Sequence, residues 1–262
     1  MQIIRGIHLL NLIFVLGTAG SGKSTFTAKF TRFLEFHRED AMAVNLDPGS
    51  MILPYAANVD VREYIKVEDI MEEYGLGPNG GLMLAHDMMS GIVQNLSSDI
   101  EDFTPDICIV DTPGQMELFA FREIGAQIAQ SLTDSEKGVI YIFDGMQCRD
   151  PLNYVMNMFL ATAINTKFFL PQYHLISKID ALDEYQLAEI ISWTEDMFAL
   201  DDAVDARLTG LNRTMSQDMM EIINRIGLEF QPIPISSMTN DGFNDLYAQL
   251  MLTFTDGGKF TP

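Results

Sequence analysis

The chain has 262 residues, 47% of them hydrophobic, enough for one large α/β domain or two small ones with a real core. Its formal charge of −21 argues against broad contact with DNA, RNA or anionic membrane, because no cationic surface is on offer. Two cysteines, Cys108 and Cys148, lie in apolar strand-like runs and give neither a disulfide framework nor zinc-ligand spacing.

Residues 1–16 are apolar but interrupted by Arg5, His8 and Asn11. That run is too short to cross a bilayer, and no small-residue cleavage site follows, so a cytoplasmic protein is expected. The run Leu10–Leu16 reads as the first strand. It leads directly into Gly17-Thr18-Ala19-Gly20-Ser21-Gly22-Lys23-Ser24, which has the spacing G-x-x-x-x-G-K-[ST]. A helical stretch, Thr25–Phe36, follows. Strand, glycine loop and helix in that order make a phosphate cradle: glycines let backbone N–H groups close around oxygens, and the helix start adds positive potential. Residues Gly17 to Thr25 are therefore the expected phosphate contacts. Lys23 reaches the β- and γ-phosphates, and the Ser24 hydroxyl is a ligand for Mg²⁺. In so acidic a chain the bound nucleotide must be met by locally positive groups, so nucleotide binding is expected to need the metal.

The second strand is Ala41–Asn45. Residues 60–102 break the strand–helix rhythm. Two helical patterns, Val61–Tyr74 and Leu82–Leu96, flank Gly75-Leu76-Gly77-Pro78-Asn79-Gly80-Gly81, and no convincing strand intervenes. The stripe Met83, Met88, Met89, Ile92, Val93 and Leu96 has two readings, an internal core or a partner surface. Strand Ile107–Val110 ends at Asp111-Thr112-Pro113-Gly114-Gln115. A carboxylate at a strand's C-terminal end can hold Mg²⁺, Gly114 lets its amide approach a γ-phosphate, and Gln115 is close enough to orient water.

Helix Met116–Ser131, strand Val139–Phe143 and helix Leu152–Thr166 come next. Strand His174–Ile176 then delivers Ser177-Lys178-Ile179-Asp180. One carboxylate can accept from both N1–H and the 2-amino group of guanine, a pair adenine lacks, which makes Asp180 the specificity residue. The Lys178 stem packs on the base. Ser177 departs from the Asn or Thr usual at the first position of an N-K-x-D motif. Helices Glu184–Phe198 and Met215–Ile226 precede strand Pro232–Ile235, whose end, Ser236-Ser237, could offer an amide to guanine O6. Helix Phe243–Phe254 closes the pattern. Alternation of this kind implies an α/β fold with a mostly parallel central sheet covered on both faces. The expected organisation is one P-loop domain over 1–255, with a helical insertion at 60–102 and a frayed tail at 256–262.

These residues resemble the GPN-loop GTPases, within the P-loop class that includes signal-recognition-particle GTPases and partition ATPases. The resemblance is carried by 17–24, Asn45-Leu46-Asp47-Pro48, Asp60-Val61-Arg62, Gly77-Pro78-Asn79, Asp111–Gln115 and Ser177–Asp180, and it runs from about Leu10 to Leu250. It implies a GTPase that forms a homodimer. Each loop Gly77-Pro78-Asn79 then reaches the partner's nucleotide, with Asn79 acting across the interface on phosphate or water. It makes Asp47, Gln115 and Glu117 candidates for holding the attacking water. Asp47 as a strand-end cap and Glu117 as a first-turn helix charge are the plainer alternatives. Arg62 is either a cationic finger or the partner of Asp60 or Glu63. The resemblance also implies work on a protein client, in assembly of RNA polymerase or another multisubunit complex. A P-loop kinase is the enzymatic rival, and a slowly hydrolysing GTP-dependent scaffold is the non-enzymatic one. A partition-type ATPase needs a lysine at position 18, where this chain has Thr18.

Overall fold

The structure, a computed structural model, describes residues 10–116, 119–226 and 230–255. Seven parallel strands form one sheet in the order β3-β2-β4-β1-β5-β6-β7. The central strand is β1 (Asn11–Gly17), between β4 (Ile107–Asp111) and β5 (Glu136–Asp144). Outward from β4 lie β2 (Ala41–Asn45) and the two-residue edge strand β3 (Val59–Asp60); outward from β5 lie β6 (Gln172–Ser177) and β7 (Ile233–Pro234).

Alternation along β1 feeds two cores. Leu12, Phe14 and Leu16 face one core, Ile13 and Val15 the other, and all five are buried. On the second face α1 (Lys23–Phe36) and α10 (Phe243–Thr255) pack through Phe26, Phe30 and Phe243. Phe26 stacks on Phe30 at 5.1 Å, and Phe243 meets both edge-on. The larger core lies under α6 (Pro151–Phe168), α7 (Glu184–Glu195), α8 (Met197–Arg207), α9 (Gly210–Ile226) and the insertion. Cys108 and Cys148 are buried, unpaired thiols. Among the described residues no helix is long and apolar enough to cross a membrane.

The insertion holds three helices where two were expected: α2 (Val67–Tyr74), α3 (Pro78–Met88) and α4 (Val93–Phe103). Gly75, with φ of 63°, ends α2, and Gly77-Pro78-Asn79 begins α3 with Pro at its first position, where no N–H is needed. The methionine stripe divides: Met89, Val93 and Leu96 are buried, while Met83 and Met88 are exposed.

Other boundaries also moved for local reasons. The helix expected over Met116–Ser131 is regular only as α5 (Glu123–Ser131). A turn ahead of it, closed by Phe119 and Phe121 amides on the Met116 carbonyl, lays the Phe119 carbonyl against Gly125, 2.0 Å from where a Cβ would stand. The run expected as Glu184–Phe198 breaks at Asp196, whose extended backbone ends α7 and whose carboxylate caps the Phe198 amide to start α8. Helix α8 was not anticipated, and α9 starts five residues earlier than periodicity placed it. The segment 256–262, read as a tail, lies outside the described residues.

Candidate active site

Parallel registers bring the carboxyl ends of five strands to one edge. Asp111 pairs in register with Asn45 and Val15, and Asp144 with Ser177, so Gly17, Asn45, Asp111, Asp144 and Ser177 line a single crevice above the sheet.

The loop Thr18–Gly22 crosses this crevice. Gly17, Gly20 and Gly22 have φ of 154°, 79° and 97°, and a Cβ on Gly17 would meet the Ile142 carbonyl at 2.7 Å. Only glycine fits that approach. Four loop carbonyls are tied by side chains. Lys23 Nζ donates to Gly17 O (3.0 Å) and Thr18 O (3.1 Å), Lys178 Nζ to Gly20 O (2.7 Å), and Ser177 Oγ to Ser21 O (2.8 Å). With those carbonyls turned to protein, the trans peptides turn the amides of Thr18, Ala19 and Gly22 the other way. Helix α1 begins at once, with no side-chain cap and no acidic residue in its first turn, so its first N–H groups are left for a ligand. Ala19, Gly20 and Thr25 are exposed at the mouth, and Ser24 is half-buried. Lys23 is almost wholly buried. Desolvation pushes its pKa down, while Asp111 and Asp47 hold it up, so the ammonium waits among carbonyls for a stronger counter-charge.

Asp111 is 1% exposed. Burial raises its carboxyl to about 6 against the pull of the Ser24 and Tyr55 hydroxyls and of Lys23. Tyr55 Oη donates to Oδ2 at 2.9 Å, while Oδ1 is buried without a partner among the described residues. An orphaned carboxylate oxygen beside a serine hydroxyl is a hard-oxygen donor pair that suits a small divalent cation completed by phosphate oxygens. No cluster of three His, Cys, Asp or Glu exists among the described residues, so an all-protein metal cage is not the design there. Thr112 Oγ1 donates to Val15 O (2.6 Å), fixing the start of the loop that carries half-buried Gly114 and exposed Gln115. Glu117 lies outside the described residues.

Asn45 organises the Asp47 turn. Its amide donates to Asp47 O (3.2 Å) and Asp60 Oδ1 (2.9 Å), and its Oδ1 accepts from Asp47 N–H (3.0 Å). Asp47 Oδ1 in turn accepts from Gly49 N–H. Arg62 is fully engaged, chelating Asp60 and donating to Ser50 O (2.7 Å), so of its two readings the structure shows the ion pair with Asp60. Gly49 lies against α3, with a Cβ there only 2.3 Å from Leu82 Cδ2. Asn79 stands exposed one turn earlier on that helix, with no side-chain partner among the described residues. The Asp47 turn and the Asn79 helix are thus in contact, whereas no bond among the described residues ties Asn79 to the phosphate loop.

At the far end of the crevice Asp180 is exposed, and its Oδ1 accepts from Ser236 Oγ (2.6 Å). That hydroxyl already accepts the amides of Met238 (3.1 Å) and Thr239 (3.2 Å), so its proton is directed at Asp180. The Ser236 amide donates to Asp241 O, while the half-buried Ser237 has no such bond among the described residues. The Lys178 stem passes over Gly22, and its ammonium pairs with buried Asp144 at 2.8 Å.

Sequence reasoning missed Tyr55, Asp144 and the structural part of Thr112. Asp144 had a signal, ending an apolar run as Asp111 does. Tyr55 had none, since it sits in an irregular segment.

Residues 15–255 match a family described as a conserved hypothetical ATP binding protein. The chain is 32% identical over 248 residues to GPN-loop GTPase 1 of Saccharomyces cerevisiae, covering 90% of this chain and 64% of the yeast protein. It is 33% identical over 240 residues to a GPN-loop GTPase of Pyrococcus abyssi, covering 90% and 94%. A crystal structure of a GTPase in apo form from Pyrococcus abyssi superposes with a TM-score of 0.83 at 30% identity, over 95% of this chain and 99% of that one.

Proposed function

Since the chain belongs to the GPN-loop GTPases, we propose that it is a GTP-hydrolysing switch whose two copies complete each other's site. The observation that carries the guanine reading is the Ser236–Asp180 pair. A carboxylate held by a hydroxyl at the mouth of the crevice can accept two donors from one purine edge. This favours GTP over the ATP of the family description, because a site built for that pair leaves its carboxylate unmatched against adenine.

Chemistry follows from placement. Phosphoryl transfer to water breaks the bond between the γ-phosphorus and its bridging oxygen. It needs alignment and charge neutralisation more than covalent help. Lys23 exchanges its loop carbonyls for phosphate oxygens, and the Gly22 amide turned by Ser177 lines the same path. Ser24 and Asp111 would hold a magnesium ion, which supplies positive charge to the phosphates when bound. Gln115 orients the attacking water together with Asp47 or Glu117, and Asn79 enters from the second copy. Loss of the γ-phosphate frees the 111–115 loop, and the state of the dimer changes with it. We place this cycle in the cytoplasm, where Cys108 and Cys148 stay reduced. Its output is the assembly of a client complex of the RNA polymerase kind.

Phosphate release from GTP with no hydroxyl acceptor present tests the reading. Steady release supports hydrolysis, and release only on adding an acceptor would make the chain a kinase.

A further inference from the structure

The two oxygens of Asp111 are not equivalent. Oδ2 takes the Tyr55 hydroxyl at 2.9 Å, and Oδ1, equally enclosed, takes nothing among the described residues. Tyr55 belongs to the irregular stretch between β2 and β3, and both ends of that stretch are fastened. The Leu46 amide donates to the Asp111 carbonyl at 2.9 Å. At the other end Asn58 exchanges two bonds with Ala43, N–H to O at 2.8 Å and Oδ1 from N–H at 3.0 Å. Arg62 adds a third clamp through Ser50 O. A half-buried phenol on so fixed a strap cannot be an idle rotamer.

We infer that Tyr55 is the positioning residue of the cation site: by occupying Oδ2 it fixes the rotation of the Asp111 carboxylate, so that Oδ1 alone is presented beside Ser24 to a divalent cation. A carboxylate without that bond would trade its two oxygens between metal and protein. Outer partners of metal ligands characteristically set affinity by about 10- to 100-fold. The same strap runs from the Asp47 turn to Asp60, so cation loading and the position of Asp47 are mechanically joined. The inference rests on Ser24 and Asp111 as the protein's cation ligands, as proposed above.

Tyr55→Phe removes one oxygen and keeps the ring. Full-length protein is loaded with a non-hydrolysable GTP analogue and titrated with Mn²⁺, followed by the loss of the free-ion EPR signal, and with Mg²⁺ in competition. The variant is expected to bind either ion about 10- to 100-fold more weakly. Its analogue affinity in excess chelator and its melting temperature should match the parent's. Unchanged or tighter metal binding would overturn the inference. An equal fall in metal-free analogue affinity or in melting temperature would overturn it too, by showing a general packing role. If the parent chain binds the analogue equally well with and without metal, the cation site itself is refuted, an outcome distinct from failure of the Tyr55 effect.

Discussion

Single atoms decide what this crevice can do. Lys23 and Lys178 are two of only 16 basic residues in a chain of net charge −21, and both touch the phosphate loop. Attraction for a polyanion is therefore local, made by ammonium groups and oriented amides at short range rather than by the molecule's field. Gln115 is exposed at the loop's end with no side-chain hydrogen bond among the described residues, so Gln115→Ala should leave GTP affinity within about threefold. It should slow turnover by about 100-fold or more, as removal of a water-orienting group does. Single-turnover phosphate release beside equilibrium binding checks both halves. Sequence made the glycines, Lys23, Ser24, Asp111 and Asp180 legible because each sits at fixed spacing from an apolar run. Tyr55 was invisible, because its meeting with Asp111, 56 residues away, is made by the tertiary fold alone. Ser236 was legible as a position but not in its chemistry: its hydroxyl, through acceptance from two amides, is what faces Asp180.

At the scale of elements, α3 is the part whose packing matters most. It carries Asn79 in its first turn, touches the Asp47 turn through Leu82, and buries His86 with neither ring nitrogen partnered among the described residues. Burial lowers the His86 pKa, with Asp47 and Asp87 pulling it up and Arg122 down. The unfolded chain then binds a proton near pH 6.5 that the folded one refuses, so stability falls as pH drops below that value. His86→Asn, which cannot take up the proton, should lose less melting temperature between pH 7.5 and 5.5 than the parent. Equal losses would show that His86 is not the group responsible. The parallel alternation of strands and helices was readable from hydrophobic rhythm, though the strand order, the two-residue edge strand β3 and helix α8 were not foreseen. The insertion was only partly readable, since α3 and α4 join through a continuous 3-10 turn at Met89–Ile92 that periodicity cannot separate. The α7–α8 break was hidden for a similar reason, because Asp196 looks like an ordinary helix-surface acid until its side chain is seen capping the next helix.

At the scale of the molecule, one copy holds the loop, the carboxylate and the residues proposed to read the purine, while Asn79 has no partner or evident task among its described residues. The proposed dimer supplies that task. Mixing Asn79→Ala with Lys23→Ala should restore about a quarter to a half of parental turnover. In the mixed dimer one competent loop meets an intact Asn79 from the other copy, and either variant alone should be nearly silent. No recovery on mixing would confine Asn79 to its own chain. The acidic remainder of the surface fits this arrangement, since it discourages promiscuous contact with nucleic acid and leaves specific faces to decide association.

The central claim is that a purine triphosphate is captured here and its base is read by Asp180. Titration calorimetry of the full chain with GTP and with ATP, each in the presence of Mg²⁺, tests it most directly. The account predicts saturable heat with GTP and affinity for ATP weaker by about 10⁴-fold, a gap that Asp180→Ala largely erases. Equal affinity for the two nucleotides, or no heat with GTP, would contradict it.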